Sequence, residues 1–496
     1  MKVQSPKSKV QGRLLVRRVL LLCCFLAGPW TLDLGPWTSA DAAARPRYGD
    51  TLRLSFSQTA ETYDPAQAAT LPERLLARSI YETLTSLPRG NRTGAGVEGR
   101  LAASWRAEAG GRRWIFNLRP GARFHSGNAL SAAAARAAVE RAVTRAQTAA
   151  AAQLRALQFV CSSPDPVRLV CDLSEPLSVL PEMLADPALA IADADGSGTG
   201  PWKIGAWTAG TRARLEAFDD YWAGRPFLDA IEAEFGVEAR RQRVEFELKR
   251  AEVLASSPAE ARPPGAARPS PAASLLLLGV PAKSALLAGD GAAACRALSE
   301  AIDREALARL LPPGVAAAAF GLLPGWLSGY EWLFGRPLDK PPPAAGLPRA
   351  ALRLIHDASD PVARLIASRL TFDFRALGAE LRVDSLAHAA YAAARESAPH
   401  DLYLESARLR TAAPGFALAD LLQRYQLKGG AAGLFVAGGP PEARAEAQYR
   451  IEHEALETAR AIPVLHYRDV YSFQLGLEQV RLDESGFLDL ANAWKK

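Results

Sequence analysis

The sequence has few of the residues from which catalytic and metal centres are usually built. Its 496 residues include only five cysteines, six histidines and two methionines. The histidines fall at 125, 356, 388, 400, 453 and 466, with no paired spacing that would build a metal site. His453-Glu454 opens like a zinc-peptidase motif, but Glu457 stands where the second histidine is needed, which leaves a pair on a helix surface. A G-x-S-x-G nucleophile elbow, a Walker-type phosphate loop and a G-x-G-x-x-G turn after a strand are all missing. Cys161 and Cys171 lack the C-x-x-C spacing of redox or zinc work. No nucleophile–base constellation emerges, so nothing in the residues points to an enzyme. Gly and Pro, at 38 and 35, are too few for a collagen-like or wholly disordered chain. Two Met against 10 Trp, 17 Phe and 11 Tyr predict rigid aromatic cores rather than a pliable Met-rich surface.

Long apolar runs are scarce too. Val19–Gly28 is too short to span a bilayer, and Ser274–Val280 is only of strand length. The first run follows Lys2, Lys7, Lys9, Arg13, Arg17 and Arg18 and precedes small residues at 39–44, where Ala40-x-Ala42 and Ala42-x-Ala44 fit a small-x-small cleavage pattern. Residues 1–44 therefore read as a secretory signal peptide, with an uncleaved anchor as the alternative. Leu22 precedes Cys23, and Cys23 precedes Cys24, so the small-residue-then-Cys pattern of a lipoprotein signal is absent. The formal charge of +6 comes from 59 Lys+Arg against 53 Asp+Glu. Six of those bases and two of the acids lie in 1–44, leaving 53 against 51, a balance of +2. The remaining bases are scattered among acids, with no basic stripe interleaved with aromatics, so no nucleic-acid partner is expected.

Along the rest of the chain, Thr51–Phe56 alternates as a strand, and Pro72–Leu84 has helical spacing with Leu75, Leu76, Ile80 and Leu84 on one face. Leu101–Trp105 and Arg113–Leu118 predict a hairpin around Gly110-Gly111, and Ser131 caps an Ala/Arg-rich helix running toward Ala150. Two apolar runs flank Ser163-Pro164-Asp165-Pro166, and reflection about residue 166 sets Cys161 opposite Cys171. A cross-strand disulfide fits an oxidising compartment, and two buried thiols are the alternative. Cys295 reads as a small core residue. Residues 256–273 form a Pro/Ala-rich connector, and Pro341–Gly346 and Gly429–Gly433 mark loops. From Ala351 strands and helices alternate, an α/β pattern, and no solenoid-type repeat is present.

Several segments, in order, resemble one known family. Arg47-Tyr-Gly-Asp-Thr-Leu-Arg-Leu54 with Glu61-Thr-Tyr-Asp-Pro65, then Ile80-Tyr-Glu-Thr-Leu84, resemble the opening of family 5 extracellular solute-binding proteins, the receptors of ABC importers for peptides, nickel and related solutes. Leu101–Trp105 and Trp114–Asn128 are similar to its most characteristic stretch. Gly198–Ile204 with Phe218–Asp229, Arg296–Ala306 and the weaker Ala461–His466 follow in order, so the likeness runs from about residue 47 to the end. It implies an α/β, two-lobed periplasmic-binding-protein-like fold of type II, with mixed sheets, a hinge between lobes and an extra subdomain. Lobe I would be discontinuous, from 45–82, 194–272 and 462–496; segment 83–193 would be a subdomain inserted in it, holding Cys161 and Cys171; and 273–461 would be lobe II.

The resemblance further implies a periplasmic, monomeric, non-enzymatic receptor that delivers a peptide-like or other small polar solute to ABC transporter permease subunits by lobe closure, without a cofactor. Alternatives are a nickel-chelate or haem receptor in the same fold, and a receptor-like sensor or assembly subunit without a transport role. Peptide-binding members typically carry an acidic residue before a Pro in the second lobe, which pairs with the peptide ammonium. In the comparable stretch, 401–414, Ala413 precedes that Pro. Glu405 is a substitute carboxylate, while Arg408 and Arg410 either suit an anionic group or are simply solvated. Ala251 and Leu254 stand where the family usually has Gly and Asp, and no Asn follows the strand at Leu278-Gly279-Val280. These departures describe a divergent receptor whose ligand need not be a peptide. The ligand contacts expected are Gln58 and Glu61 from lobe I, and Tyr391, Tyr403, Glu405, Arg408 and Arg410 from lobe II.

Overall fold

The computed structural model describes residues 45–87, 97–260, 267–287, 291–329, 351–376, 378–397, 399–429, 434–435, 441–457, 460–483 and 485–496. The expected signal peptide (1–44) and the loop 341–346 lie outside the described residues, as does most of 429–433. From Pro46 onward the chain forms one unit.

Its frame is two large mixed sheets. The first has seven strands, in spatial order Ala267–Pro269, Val470–Phe473, Val253–Ser256, Thr51–Ser55, Ala230–Glu234, Arg212–Ala217 and Trp202–Thr208. Thr51–Ser55 lies parallel to both of its neighbours, while the outer pairs are antiparallel. The second has six, ordered Ala316–Ala318, Ala461–Tyr467, Ser274–Gly279, Leu402–Arg408, Ala351–Asp357 and Glu380–Leu386. The α/β alternation after Ala351 supplies its parallel pairs.

Ser274–Gly279 shows why its sequence lacks alternation. All six residues are buried, with Leu276 and Leu278 in one core cluster and Leu275 and Leu277 in another on the opposite face. A central strand covered on both sides needs an apolar residue at every position. Burial of each leucine is worth roughly 1.5–3 kcal/mol.

A four-stranded antiparallel sheet carries a third core. Ala102–Glu108 pairs with Arg113–Leu118 as the expected hairpin, and Val160–Asp165 pairs with Arg168–Asp172. Cys161 stands opposite Cys171 in that register and the two form a disulfide, while Cys295 is a buried free thiol. The Ala-rich helix capped by Ser131 does not run to Ala150. It ends at Arg145, and Thr148 caps a second helix, Ala149–Ala156. The Leu71–Ile80 helix likewise stops short of Leu84, which packs in the core of the third sheet instead of the helix's own cluster.

One other expectation changes in kind. Within the 256–273 connector, Ala267–Pro269 is an edge strand on Val470–Phe473. Gly198 and Gly200 serve a close approach of backbone to backbone. A Cβ on Gly198 would lie 2.0 Å from the carbonyl oxygen of Ile80, and one on Gly200 would lie 2.5 Å from that of Ser79. Tyr221 and Trp222 pack around a buried polar centre. Buried Glu82 accepts hydrogen bonds from Tyr221 (2.8 Å), Trp222 (2.9 Å) and Thr199 (3.1 Å), and pairs with Arg100 at 2.6 Å.

The chain crosses between the two large sheets at Ser270–Ala273 and again at Arg468–Asp469. The strand Ala461–Tyr467 lies wholly in the six-stranded sheet, so the return crossing falls after Tyr467 and not at 462. The crossings are tied side by side: Ser270 N–H donates to the Asp469 carbonyl (2.8 Å), and Asp469 N–H donates to Ser270 Oγ (3.0 Å). Arg408 pairs with the Asp469 carboxylate.

Candidate ligand-binding cleft

Between the two sheets lies a cleft of about 630 Å³. The seven-stranded lobe supplies Phe56–Thr59, the start of the Leu71–Ile80 helix and the turn at Ala255–Pro258. The six-stranded lobe supplies Asp357–Val362, Leu404–Ser406, Arg408–Arg410 and one face of the Pro414–Arg424 helix.

The first wall is fixed by a capping box. Glu73 N–H donates to Thr70 Oγ1 (3.4 Å), and Thr70 N–H donates to Glu73 Oε2 (2.9 Å). Glu73 also accepts from Glu61 N–H and Ala69 N–H, and Gln58 Oε1 accepts from Leu71 N–H at 3.2 Å. Such caps contribute about 1 kcal/mol each and set where the helix begins. The next residue, Arg74, is thereby held inward and is only 7% exposed. Its Nε donates to the Ala68 carbonyl at 3.4 Å, and its Nη1 is buried without a hydrogen-bond partner. Burial, followed by the nearby charges of Arg410, Arg408 and Arg424, pushes its pKa well below the usual arginine value.

The second wall is a set of ion pairs. Glu405 pairs with Arg395 at 3.0 Å and with Arg424. Asp357 meets His388 at 2.5 Å, and Arg410 stands 3.9 Å from Asp420. Asp420 accepts from Ala149 N–H (2.8 Å) at the start of a helix in the third-sheet region, and burial raises its pKa. Asp360 caps the helix that begins at Pro361 by accepting from Val362 and Ala363 N–H, both at 3.0 Å; burial raises its pKa too.

Five of the seven expected contacts line this cleft: Gln58, Tyr391, Glu405, Arg408 and Arg410. Glu61 lies outside the lining, with its carboxylate packed over Gly210. Tyr403 is also outside it: it stands across the strand pair from Gly279, where a Cβ would sit 2.0 Å from the tyrosine Cζ. The family departure noted at Gly279 thus makes room for a tyrosine ring. Tyr391 donates to the Leu404 carbonyl at 3.3 Å, and burial raises its pKa. Arg74, Asp360 and Asp420 were not anticipated. Each sits in an amphipathic or capping pattern that reads as solvent-facing when its partner element is distant in sequence.

Among the described residues no three His, Cys, Asp or Glu side chains gather as a metal-holding group, and no helix is long and apolar enough to cross a membrane. What the arrangement can do is enclose a polar solute between two lobes, which defines the class as a two-lobed binding protein. Residues 96–423 match the family described as bacterial extracellular solute-binding proteins, family 5 middle region, and the chain belongs to that family. It is 25% identical over 222 residues to the probable D,D-dipeptide-binding periplasmic protein DdpA of Escherichia coli (41% of this chain, 42% of that protein). To the glutathione-binding protein GsiB of Pectobacterium atrosepticum it is 26% identical over 191 residues (36% of each). In both cases the chain spans about two fifths of the relative's length. The fold is that of Haemophilus influenzae OppA, solved with the peptide RPPGFSPFR, at a TM-score of 0.76 and 13% identity, covering 91% of this chain and 100% of that one.

Proposed function

We propose that the protein is an extracytoplasmic solute receptor that delivers a peptide-like or other small polar solute to an ABC transporter permease. The observation that carries this reading is the cleft itself, which the six-stranded lobe lines with charged side chains mostly paired in place and the seven-stranded lobe lines with polar side chains and Arg74. A solute bridging the walls favours the closed form, and the closed form is what a permease would recognise. The protein acts as a monomer, without a covalent step and with residues 1–44 as its export signal. Lobe I is assigned to 45–82, 194–272 and the chain after Tyr467, and lobe II to the chain between the two crossings. The 83–193 segment is the inserted subdomain. The relatives' names, glutathione-binding and D,D-dipeptide-binding, favour small peptides as the first solutes to try.

The test is a thermal-shift screen of the exported chain with di- and tripeptides, glutathione, sugars and metal chelates. A solute held only by the folded form at 100 times its Kd stabilises it by about 2.7 kcal/mol. A panel that leaves the melting temperature unmoved refutes the receptor reading.

A further inference from the structure

We propose that the cleft takes a solute carrying a carboxylate, and that Arg74 is the residue that receives it. This rests on the receptor reading and narrows it to a substrate class. Matching the ion pairs that line the cleft leaves Arg74 and Asp360 without an oppositely charged partner in contact. Arg408 is committed to Asp469, Arg424 to Glu405 and His388 to Asp357, while Arg410 faces Asp420 at 3.9 Å. The remaining acid, Asp360, is occupied as a helix cap. Arg74 forms no ion pair within 4 Å among the described residues, Asp420 acting on it only from farther off, and one of its guanidinium nitrogens is buried with no hydrogen bond.

A buried guanidinium without an anion is costly to hold. The fold nevertheless builds its surroundings with care, since the capping box and Gln58 set the helix start that delivers it. Burial first, and then the positive potential of three further arginines, lowers its proton affinity, with Asp420 acting the other way. A guanidinium presents five N–H donors in a planar fork, and among the described residues only one of them, on Nε, has a protein acceptor. A ligand carboxylate matches that fork with two parallel hydrogen bonds and supplies the missing charge. Because the acceptor comes from outside, an orphaned donor in the empty cleft becomes a satisfied one in the filled cleft.

The experiment uses matched probes on the full chain: dialanine against dialanine amide, glutathione against its diamide, and gluconate against glucose. Calorimetry and thermal shift should show at least one acid binding ten-fold or more tighter than its neutral partner. Arg74→Gln should abolish that preference, and Arg74→Lys should keep part of it. Without solute, Arg74→Gln should melt at or above the wild-type temperature, because it removes an unpaired buried charge. A much lower melting temperature, a failure of Arg74→Gln to fold, or a preference that survives the substitution overturns the proposal by showing a structural or idle arginine. If neutral solutes bind as well as acids, the carboxylate inference fails and the receptor reading stands. If no probe binds, both fall.

Discussion

The loop Gly321–Leu323 is held by two buried ionisable groups whose pH dependences oppose each other. Glu452, on the Pro441–Glu457 helix, is fully buried. Its Oε1 accepts from Leu322 N–H (2.5 Å) and Leu323 N–H (3.1 Å), while its Oε2 has no partner. Burial pushes its pKa up to about 7 against the two N–H bonds, from an ordinary 4.5. The folded state therefore keeps a proton that the unfolded chain releases, and this group lowers stability as pH rises from 4.5 to about 7. At 1.36 kcal/mol per unit the loss is roughly 3 kcal/mol. His466, within 3.0 Å of the Gly321 carbonyl, is driven by burial down to about 4 from 6.5. It works the other way: below 6.5 the unfolded chain binds a proton the folded form refuses, so stability is lost as pH falls toward 4.

Glu452→Gln keeps an acceptor for the two N–H groups and removes the charge. At pH 5, where the carboxyl is already neutral in the fold, the variant should match the wild type. At pH 8 it should be more stable by about 2–3 kcal/mol, less any cost of its unpaired amide hydrogens. With about 2.1 cal/mol/K of unfolding entropy per residue over the roughly 450 residues beyond the N-terminal stretch, this is a rise of about 3 °C in melting temperature. Differential scanning calorimetry of both proteins at the two pH values reads it directly. A variant that is destabilised equally at pH 5 and pH 8 would refute the reasoning, since the charge would then play no part.

Removing Glu82 strands Arg100 among buried neighbours, so Glu82→Ala should cost about 3–5 kcal/mol in chemical denaturation and Glu82→Gln distinctly less. Gly198→Ala places a methyl on the backbone of Ile80, so we expect loss of soluble expression or a destabilisation above about 4 kcal/mol. The same change at Gly224, whose added Cβ meets nothing within 4 Å but whose φ is +99°, should cost only the strain of that backbone conformation, which circular dichroism melting would separate.

What was legible in the sequence was local. The turn chemistry at Pro164-Asp165-Pro166 and the alternation around it locate the Cys161–Cys171 pairing, because both strands lie within a dozen residues. Ser131 marks its helix correctly, but the break before Thr148 hides inside an unbroken Ala-rich pattern, and only the threonine cap hints at it. Ala267–Pro269 reads as connector because its pairing partner is about 200 residues away. The same distance conceals the cleft. Arg74 sits on an amphipathic helix whose pattern does not reveal that distant parts of the chain surround it. Tyr403 and Glu405, two residues apart, share one face of their strand, so alternation does not separate them; position along the strand does, since the Tyr403 ring lies over Gly279 and only Glu405 reaches the cleft.

The paired crossings between the sheets set the mechanics of closure. A single connecting strand would let the lobes roll, slide and twist. Two, lying side by side and bonded through Ser270 and Asp469, resist shear because sliding one past the other breaks those bonds. Bending both together does not. The soft motion left is a rotation about an axis through the pair, like a door on two pins, with φ/ψ changes confined to a few residues. Arg408, anchored on Asp469, sits on that axis, where it moves least.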